Sequence, residues 1–251
     1  MDLTTIRTIA EKLLGNVRFS CVYLGGSRAV GWSHKSSDVD LFVISDSEPP
    51  PPTGFNLDVT VAEPLPSIAI SFHDGVRFDV EYWSPIQIHE LVARLGEASA
   101  RDTLSHADMD VLWRLHTARF LLGDRELFDR LQSTVPASSL SREFAKRAVY
   151  SAEVRLDDAA GLLASGEPLI AALACREAFA RVVDAVLSHT GSPVPPSKWR
   201  LRRLREAEGF EELFREYLAV ETMAEFVPAD SSAWVRSTVL RSRELLREID
   251  V

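Results

Sequence analysis

Two cysteines among 251 residues, Cys21 and Cys175, are too few for a disulfide framework, and neither belongs to a zinc-type pair. Each lies among apolar neighbours and reads as a reduced core thiol, which suits the cytoplasm. His89, His106, His116 and His189 have no spacing that would make a metal set. No apolar run approaches the roughly 20 residues that a membrane helix needs. The first residues, Met1-Asp-Leu-Thr-Thr-Ile-Arg7, lack the basic-then-apolar order of a secretion signal. Positive charge is also short: 28 Lys and Arg stand against 37 Asp and Glu, for a net charge of −9. An extended nucleic-acid surface is therefore not expected, whereas a small cationic substrate would be welcome. Internal repeats are absent, and low complexity is confined to Pro49–Pro52. These absences predict a cytoplasmic protein with no membrane partner.

What remains is an ordinary globular composition, 46% apolar and 26% charged, with enough length for one large domain or two modest ones. Its most informative stretch runs from Val22 to Ile44. An apolar strand-like run ends in Gly25-Gly26-Ser27, and after ten further residues Asp38-Val39-Asp40 opens a second apolar run. On a strand, Asp38 and Asp40 project to the same side, about 6 to 7 Å apart. Carboxylates that close repel unless a cation sits between them, and magnesium is the usual oxygen-seeking ion. The Gly-Gly-Ser turn offers unobstructed backbone amides and a hydroxyl, which suit phosphate oxygens.

Periodicity supplies the rest of the outline. Ile6, Ile9, Ala10, Leu13 and Leu14 recur at helical spacing, with Thr4 or Thr5 as cap and Gly15 as stop. Strands are expected over 17–24, 38–44 and 120–123, with a short helical or irregular piece over 28–36. Two alternating runs, 67–72 and 76–83, flank His73-Asp74-Gly75 and predict a hairpin. In its second arm Val76, Phe78, Val80 and Tyr82 share one face, and Arg77, Asp79, Glu81 and Trp83 the other. Helix is expected over 85–121 with a break between 96 and 105, and again over 125–131. Pro136 and four serines make 133–141 the expected linker. Beyond it strands vanish: one helix carries Phe144, Ala148, Ala152, Leu156, Ala159 and Leu163 on a single face. Others are expected from Pro168 to Gly191, after Pro195-Pro196-Ser197, near Phe210, and behind Asp230 as N-cap. The expected fold class is α+β, a mixed-sheet domain over 1–135 followed by an all-helical bundle over 140–251, with a cleft between them.

A strand, Gly-Gly-Ser, Asp-x-Asp and a later apolar-Asp-apolar strand, in this order and spacing, resemble the DNA polymerase beta-like nucleotidyltransferase superfamily. The resemblance implies that Gly26, Ser27 and neighbouring amides hold the outer phosphates of a nucleotide. It implies that Asp38, Asp40 and a third carboxylate bind two magnesium ions. Phe78-Asp79-Val80 matches the family pattern and makes Asp79 the preferred third ligand, with Glu81 the competitor. Glu81 is otherwise the base for the acceptor hydroxyl, a ligand for a cationic group, or a solvated edge-strand acid.

More weakly, Leu115-His-Thr-Ala-Arg-Phe-Leu-Leu-Gly-Asp-Arg-Glu-Leu-Phe128 looks like the segment that closes the catalytic domain of aminoglycoside adenylyltransferases. In the streptomycin and spectinomycin type, a mid-helix Arg and a Lys after the next loop reach the nucleotide. Arg176 and Lys198 fall at comparable places, although the intervening loop, with three prolines, is longer. Independently, Arg176 falls amid an apolar stripe of Leu169, Leu173, Ala180, Val183 and Leu187, where a guanidinium needs an anion: either a glutamate, Glu153 or Glu143, or a triphosphate. Lys198 opens a run with five basic residues in eight, most of them expected on a solvated helix face. Arg28 is a further candidate for phosphate. Trp83 and Trp113 are candidates for ring stacking or, more simply, for core.

The resemblance implies an enzyme that moves a nucleoside monophosphate, AMP from ATP first of all, to a hydroxyl of a small acceptor such as an aminoglycoside-like antibiotic, with magnesium as cofactor. Two alternatives stay open. One is a toxin-like nucleotidyltransferase acting on tRNA or protein; the other is a catalytically silent nucleotide-binding module. Apolar helix faces near the C-terminus leave room for an oligomer.

Overall fold

A computed structural model describes residues 1–45, 47, 51, 53, 59–61, 65–97, 104–191 and 197–251. The expected proline loop at 49–52, the expected break between 96 and 105, and Pro193, Pro195 and Pro196 fall wholly or mainly outside the described residues. The chain divides into two compact units, Met1–Pro136 and Ala137–Val251.

The first unit opens with α1 (Leu3–Leu14), capped by Asp2 rather than by a threonine, since its carboxylate accepts from the Thr5 amide at 2.8 Å. Then come β1 (Cys21–Leu24), the short α2 (Gly26–Ala29), β2 (Val39–Ile44), β3 (Ser67–His73) and β4 (Val76–Trp83). They are followed by α3 (Pro85–Leu95), α4 (His106–His116), β5 (Arg119–Gly123) and α5 (Arg125–Ser133). The sheet order is β3-β4-β2-β1-β5, with β2 and β4 parallel and every other pair antiparallel. The expected α+β class with a mixed sheet is what the fold shows. The β3–β4 hairpin turns at Asp74 and Gly75, whose φ values of 49° and 76° are the left-handed pair that an Asp-Gly turn takes up readily.

Strand alternation splits this sheet into two chemistries. One face sets Val22, Leu24, Leu41, Val43, Phe78, Val80 and Tyr82 into a core with Ile6, Ile9, Ala10 and Leu14 of α1. The opposite side chains of the same strands, Asp40, Asp79 and Glu81, line a cavity instead. One sequence period therefore makes both the core and the polar site. Trp83 and Trp113 are buried, as the simpler reading had them.

α3 begins with a reciprocal cap. Ser84 Oγ accepts from the Gln87 amide, the Gln87 side chain accepts from the Ser84 amide at 2.9 Å, and Pro85 follows at the first helical position. Ser84→Ala is expected to lower the unfolding free energy by about 1 kcal/mol, read as a parallel shift of the urea midpoint without change in slope.

The second unit is entirely helical among the described residues: α6 (Ala137–Ala164), α7 (Pro168–His189), α8 (Arg200–Glu206), α9 (Glu211–Glu221) and α10 (Ser231–Arg247), with single 3₁₀ turns at Ser197–Trp199 and Pro228–Asp230. Asp230 precedes α10, but its side chain makes no capping bond. The expected linker is shorter than its composition implied. α5 ends at Ser133 and α6 starts at Ala137, because serines are tolerated in the first turn of a helix where backbone amides lack partners.

The apolar stripe assigned to α7 needs correction. Ala180, Val183 and Leu187 are buried as expected, but Leu169 and Leu173 are 53% and 51% exposed, and the buried line in the first half of the helix runs through Ala171, Ala172, Cys175, Ala178 and Phe179. Small alanines let the neighbouring helices approach closely, and a count of large side chains overlooks them. Cys21 and Cys175 are free and buried, and burial pushes both thiols up to about 12, so neither is a reactive thiolate. No described helix is long and apolar enough to cross a membrane.

Candidate active site

The parallel register of β2 and β4 places Asp40 directly beside Asp79. Asp38 stands one residue ahead of β2, on the side of the strand that Asp40 faces. The three carboxylates can bring one oxygen each to within 4.8 Å of one another. They share a cavity of about 230 Å³ with Glu81, Asp110, Arg77 and Arg114, walled on its apolar sides by Ile68, Ile70, Ala107 and Val111. Five acids face two arginines there, so the cavity attracts cations.

The two arginines behave differently. Arg114 reaches in from α4, with its guanidinium 2.7 Å from Asp110, 3.1 Å from Glu81 and 3.6 Å from Asp40, and lies over the Phe42 ring. Arg77 faces the cavity two residues before Asp79 on β4. Its Nε and Nη2 donate to the two Asp79 oxygens at 2.6 and 2.8 Å.

Crowding and burial show in the acids themselves. Burial pushes the Asp40 carboxyl up to about 6; Arg114 works against the shift, and the charges of Asp38 and Asp79 add to it. Burial likewise pushes Glu81 up to about 7, opposed by Arg114 and by the Trp83 indole N–H that donates to Glu81 Oε2 at 3.2 Å. The solvated edge-strand reading of Glu81 is overturned. β4 lies between β3 and β2, and Glu81 is only 4% exposed.

Gly26 lies against these acids. Its φ is +64°, and a Cβ there would fall 2.0 Å from Asp40 Oδ2. Both facts require glycine. Gly25 is similarly confined, since its Cβ would meet the Phe42 ring at 2.8 Å, and its amide donates to the Asp40 carbonyl at 3.0 Å. Ser27 follows, half-buried, in the first turn of α2. Arg28 turns the other way: its guanidinium donates to the backbone carbonyls of Ser37 and Asp38 and so fixes the chain that delivers Asp38.

The remaining candidates belong to the helical unit. Arg176 is half-buried on α7 and lines a cavity of about 190 Å³ with Arg155, Arg181, Arg200, Glu177 and Glu221; neither Glu153 nor Glu143 is paired with it. Lys198 is exposed, with its ammonium 5.5 Å from the centre of the Trp199 ring. The basic run that starts there is not a uniform solvated face. Arg200 is buried, with a bidentate pair to Asp184 and a bond to Tyr217, while Arg202 pairs with Glu206 on the outside.

Arg114 and Asp110 were not anticipated from the sequence. Their only signal is Asp110 and Arg114 at i and i+4 on one helix, a spacing too common to single out.

The carboxylate group suits magnesium. Its donors are hard oxygens, and an octahedral ion with ligands at about 2.1 Å holds neighbouring oxygens about 3 to 4 Å apart. The three aspartates can bring oxygens within 4.8 Å of one another, and the charges of Asp38 and Asp79, after burial, raise the Asp40 carboxyl, a repulsion that a cation among them would relieve.

No protein-family model matches the sequence, and no curated protein sequence matches it significantly. The coordinates do match a solved nucleotidyltransferase-like protein from Exiguobacterium sibiricum 255-15, with a TM-score of 0.54 at 10% identity, over 98% of this chain and 74% of that one. At that identity the likeness is one of fold, and the fold it supports is a nucleotidyltransferase-like α+β sheet with a helical C-terminal part.

Proposed function

We propose that this chain transfers a nucleoside monophosphate, AMP from ATP in the first instance, to a hydroxyl of a small acceptor, with release of pyrophosphate. The observation that carries the reading is the convergence of Asp38, Asp40 and Asp79 beside the Gly26 turn, on a fold shared with a nucleotidyltransferase-like protein. Asp38, Asp40 and Asp79 would hold magnesium. Bound there, the ion supplies charge neutralisation at the α-phosphate and the departing pyrophosphate, and acidifies the attacking hydroxyl.

The chain's own groups do the rest. The turn at Gly25 and Gly26 puts no side chain beside the Asp40 carboxylate, so a phosphate held by an ion on that carboxylate could lie against the turn, and the Ser27 hydroxyl could donate to one of its oxygens. Arg28 holds the backbone that presents Asp38. Glu81, fixed by Arg114 and Trp83 and titrating near neutrality, takes the proton of the acceptor hydroxyl as its oxygen bonds to the α-phosphorus and the bond to the β-phosphate oxygen breaks. Arg176 and Lys198 are proposed as phosphate ligands on the strength of their charge. The excess of acids in the cavity supports a cationic acceptor, of which aminoglycosides are a natural set.

The deciding experiment incubates the protein with ATP, magnesium and an aminoglycoside panel. It follows pyrophosphate release and the mass of each acceptor. A gain of one adenylyl group on a panel member is the expected result. If the folded protein releases no pyrophosphate with any of the four nucleoside triphosphates and no panel member gains mass, the reading is wrong.

A further inference from the structure

Three facts set Arg77 apart from the other cation of the cavity. Both of its bonding nitrogens go to Asp79, one to each oxygen, so the third carboxylate of the cluster is already engaged by a cation. Its side chain is 39% exposed against 23% for Arg114, so it is free to swing outwards. Arg114 is bound to three acids at once and lies against Phe42, whereas Arg77 bonds to Asp79 alone and feels Asp38 and Asp40 only at longer range. Arg114 is a fixture and Arg77 is replaceable.

We infer that Arg77 is a built-in competitor of the divalent ion: its guanidinium occupies Asp79 until the ion takes its place, and so lowers the affinity of the cluster for that ion. This rests on Asp38, Asp40 and Asp79 being the metal-holding group. A guanidinium and a divalent ion both want the Asp79 lone pairs, and the cavity already contains the Arg114 charge. An ion entering beside Arg77 would meet two positive neighbours, and displacing Arg77 leaves one. The work of breaking a half-exposed bidentate pair is subtracted from ion binding. Such a pair contributes a modest amount, enough to weaken the ion by about three- to tenfold. Arg77 then acts on the cofactor through Asp79 and is a positioning residue, not a catalytic one.

The inference sets Arg77 against the ordinary expectation for a neighbour of a metal ligand, which is that its removal loosens the site. The two views predict opposite signs. Manganese, a magnesium surrogate visible by electron paramagnetic resonance, is titrated alone, without nucleotide, into the wild-type chain, Arg77→Met, Arg77→Lys and Asp79→Asn, each checked for folding by circular dichroism. Arg77→Met, which keeps the stem and removes the charge, is expected to bind manganese about three- to tenfold more tightly than wild type, and Arg77→Lys to fall between them, since lysine keeps the charge but lacks the fork. Asp79→Asn is expected to bind weakly. If Arg77→Met binds manganese as wild type does or more weakly, while wild type binds in a manner lost in Asp79→Asn, the competition is refuted and the metal reading stands. If neither wild type nor Arg77→Met binds manganese, the metal reading falls, and the competition with it.

Discussion

Asp40→Asn should cut nucleotide transfer by about a thousandfold or more, well beyond the roughly 10- to 100-fold that loss of an outer partner of a metal ligand costs. The change keeps size and hydrogen-bonding capacity but removes the central charge of the cluster. Asp40 is the residue against which Gly26 packs and to which Arg114 points. Initial rates of pyrophosphate release measure the effect, and a rate within tenfold of wild type would remove Asp40 from the chemistry.

The same residues set a pH dependence. Asp40 and Glu81 have carboxyls pushed up to about 6 and about 7 in the fold, from ordinary values of 3.8 and 4.5. Between those limits the folded chain binds more protons than the unfolded one. Their contribution to stability is therefore complete below pH 4 and lost as pH rises through 6 to 7. In chelator, thermal unfolding is expected to show lower stability at pH 8 than at pH 5, and magnesium to narrow the gap by favouring the ionised carboxylates. A magnesium-induced rise in midpoint as large at pH 5 as at pH 8 would contradict this account, because protons compete with the ion for Asp40.

Asp184→Ala is the second large effect, and it is one of stability. Arg200 is 5% exposed and Asp184 7%, and they are joined by bonds of 2.6 and 2.7 Å; Tyr217 accepts from Arg200 at 3.1 Å and the half-exposed Arg181 donates to Asp184 at 3.2 Å. Burial works against the Arg200 charge, and the hydrogen bonds and charge of Asp184 more than offset it. Removing Asp184 strands a buried guanidinium. The expected loss is about 3 to 5 kcal/mol, with a fall in melting temperature of roughly 10 °C. Asp184→Leu with Arg200→Met is expected to recover most of it, because an apolar pair of similar volume has no charge to leave uncompensated. A double variant as unstable as the single one would show that shape, not charge, dominates at this position.

The sheet unit was largely legible in the sequence. Alternation in 76–83 separated core residues from acids, Asp-Gly marked the hairpin, and Gly-Gly-Ser with Asp-x-Asp marked the edge of the cavity. Each of these signals is local. The missing information concerned partners distant in sequence. Nothing near Arg28 reveals that it binds the carbonyls of Ser37 and Asp38. Nothing near Glu81 reveals that Arg114, on the helix α4, balances its charge. In the helical unit the error had another source. The expected face of α7 was right at Ala180, Val183 and Leu187, but in the first half of the helix Ala171, Ala172, Cys175 and Ala178 form the buried side while Leu169 and Leu173 are exposed. Small side chains carry little hydropathy and still define where two helices touch.

The side-by-side meeting of β2 and β4 has a consequence for how the molecule matures. Asp79 lies 39 residues beyond Asp40, on the second arm of the β3–β4 hairpin, and reaches it only when β4 pairs with β2. Pairings of such long sequence separation are late and slow to form. If the three aspartates hold a divalent ion, as proposed, the full ligand set exists only once β4 has docked beside β2.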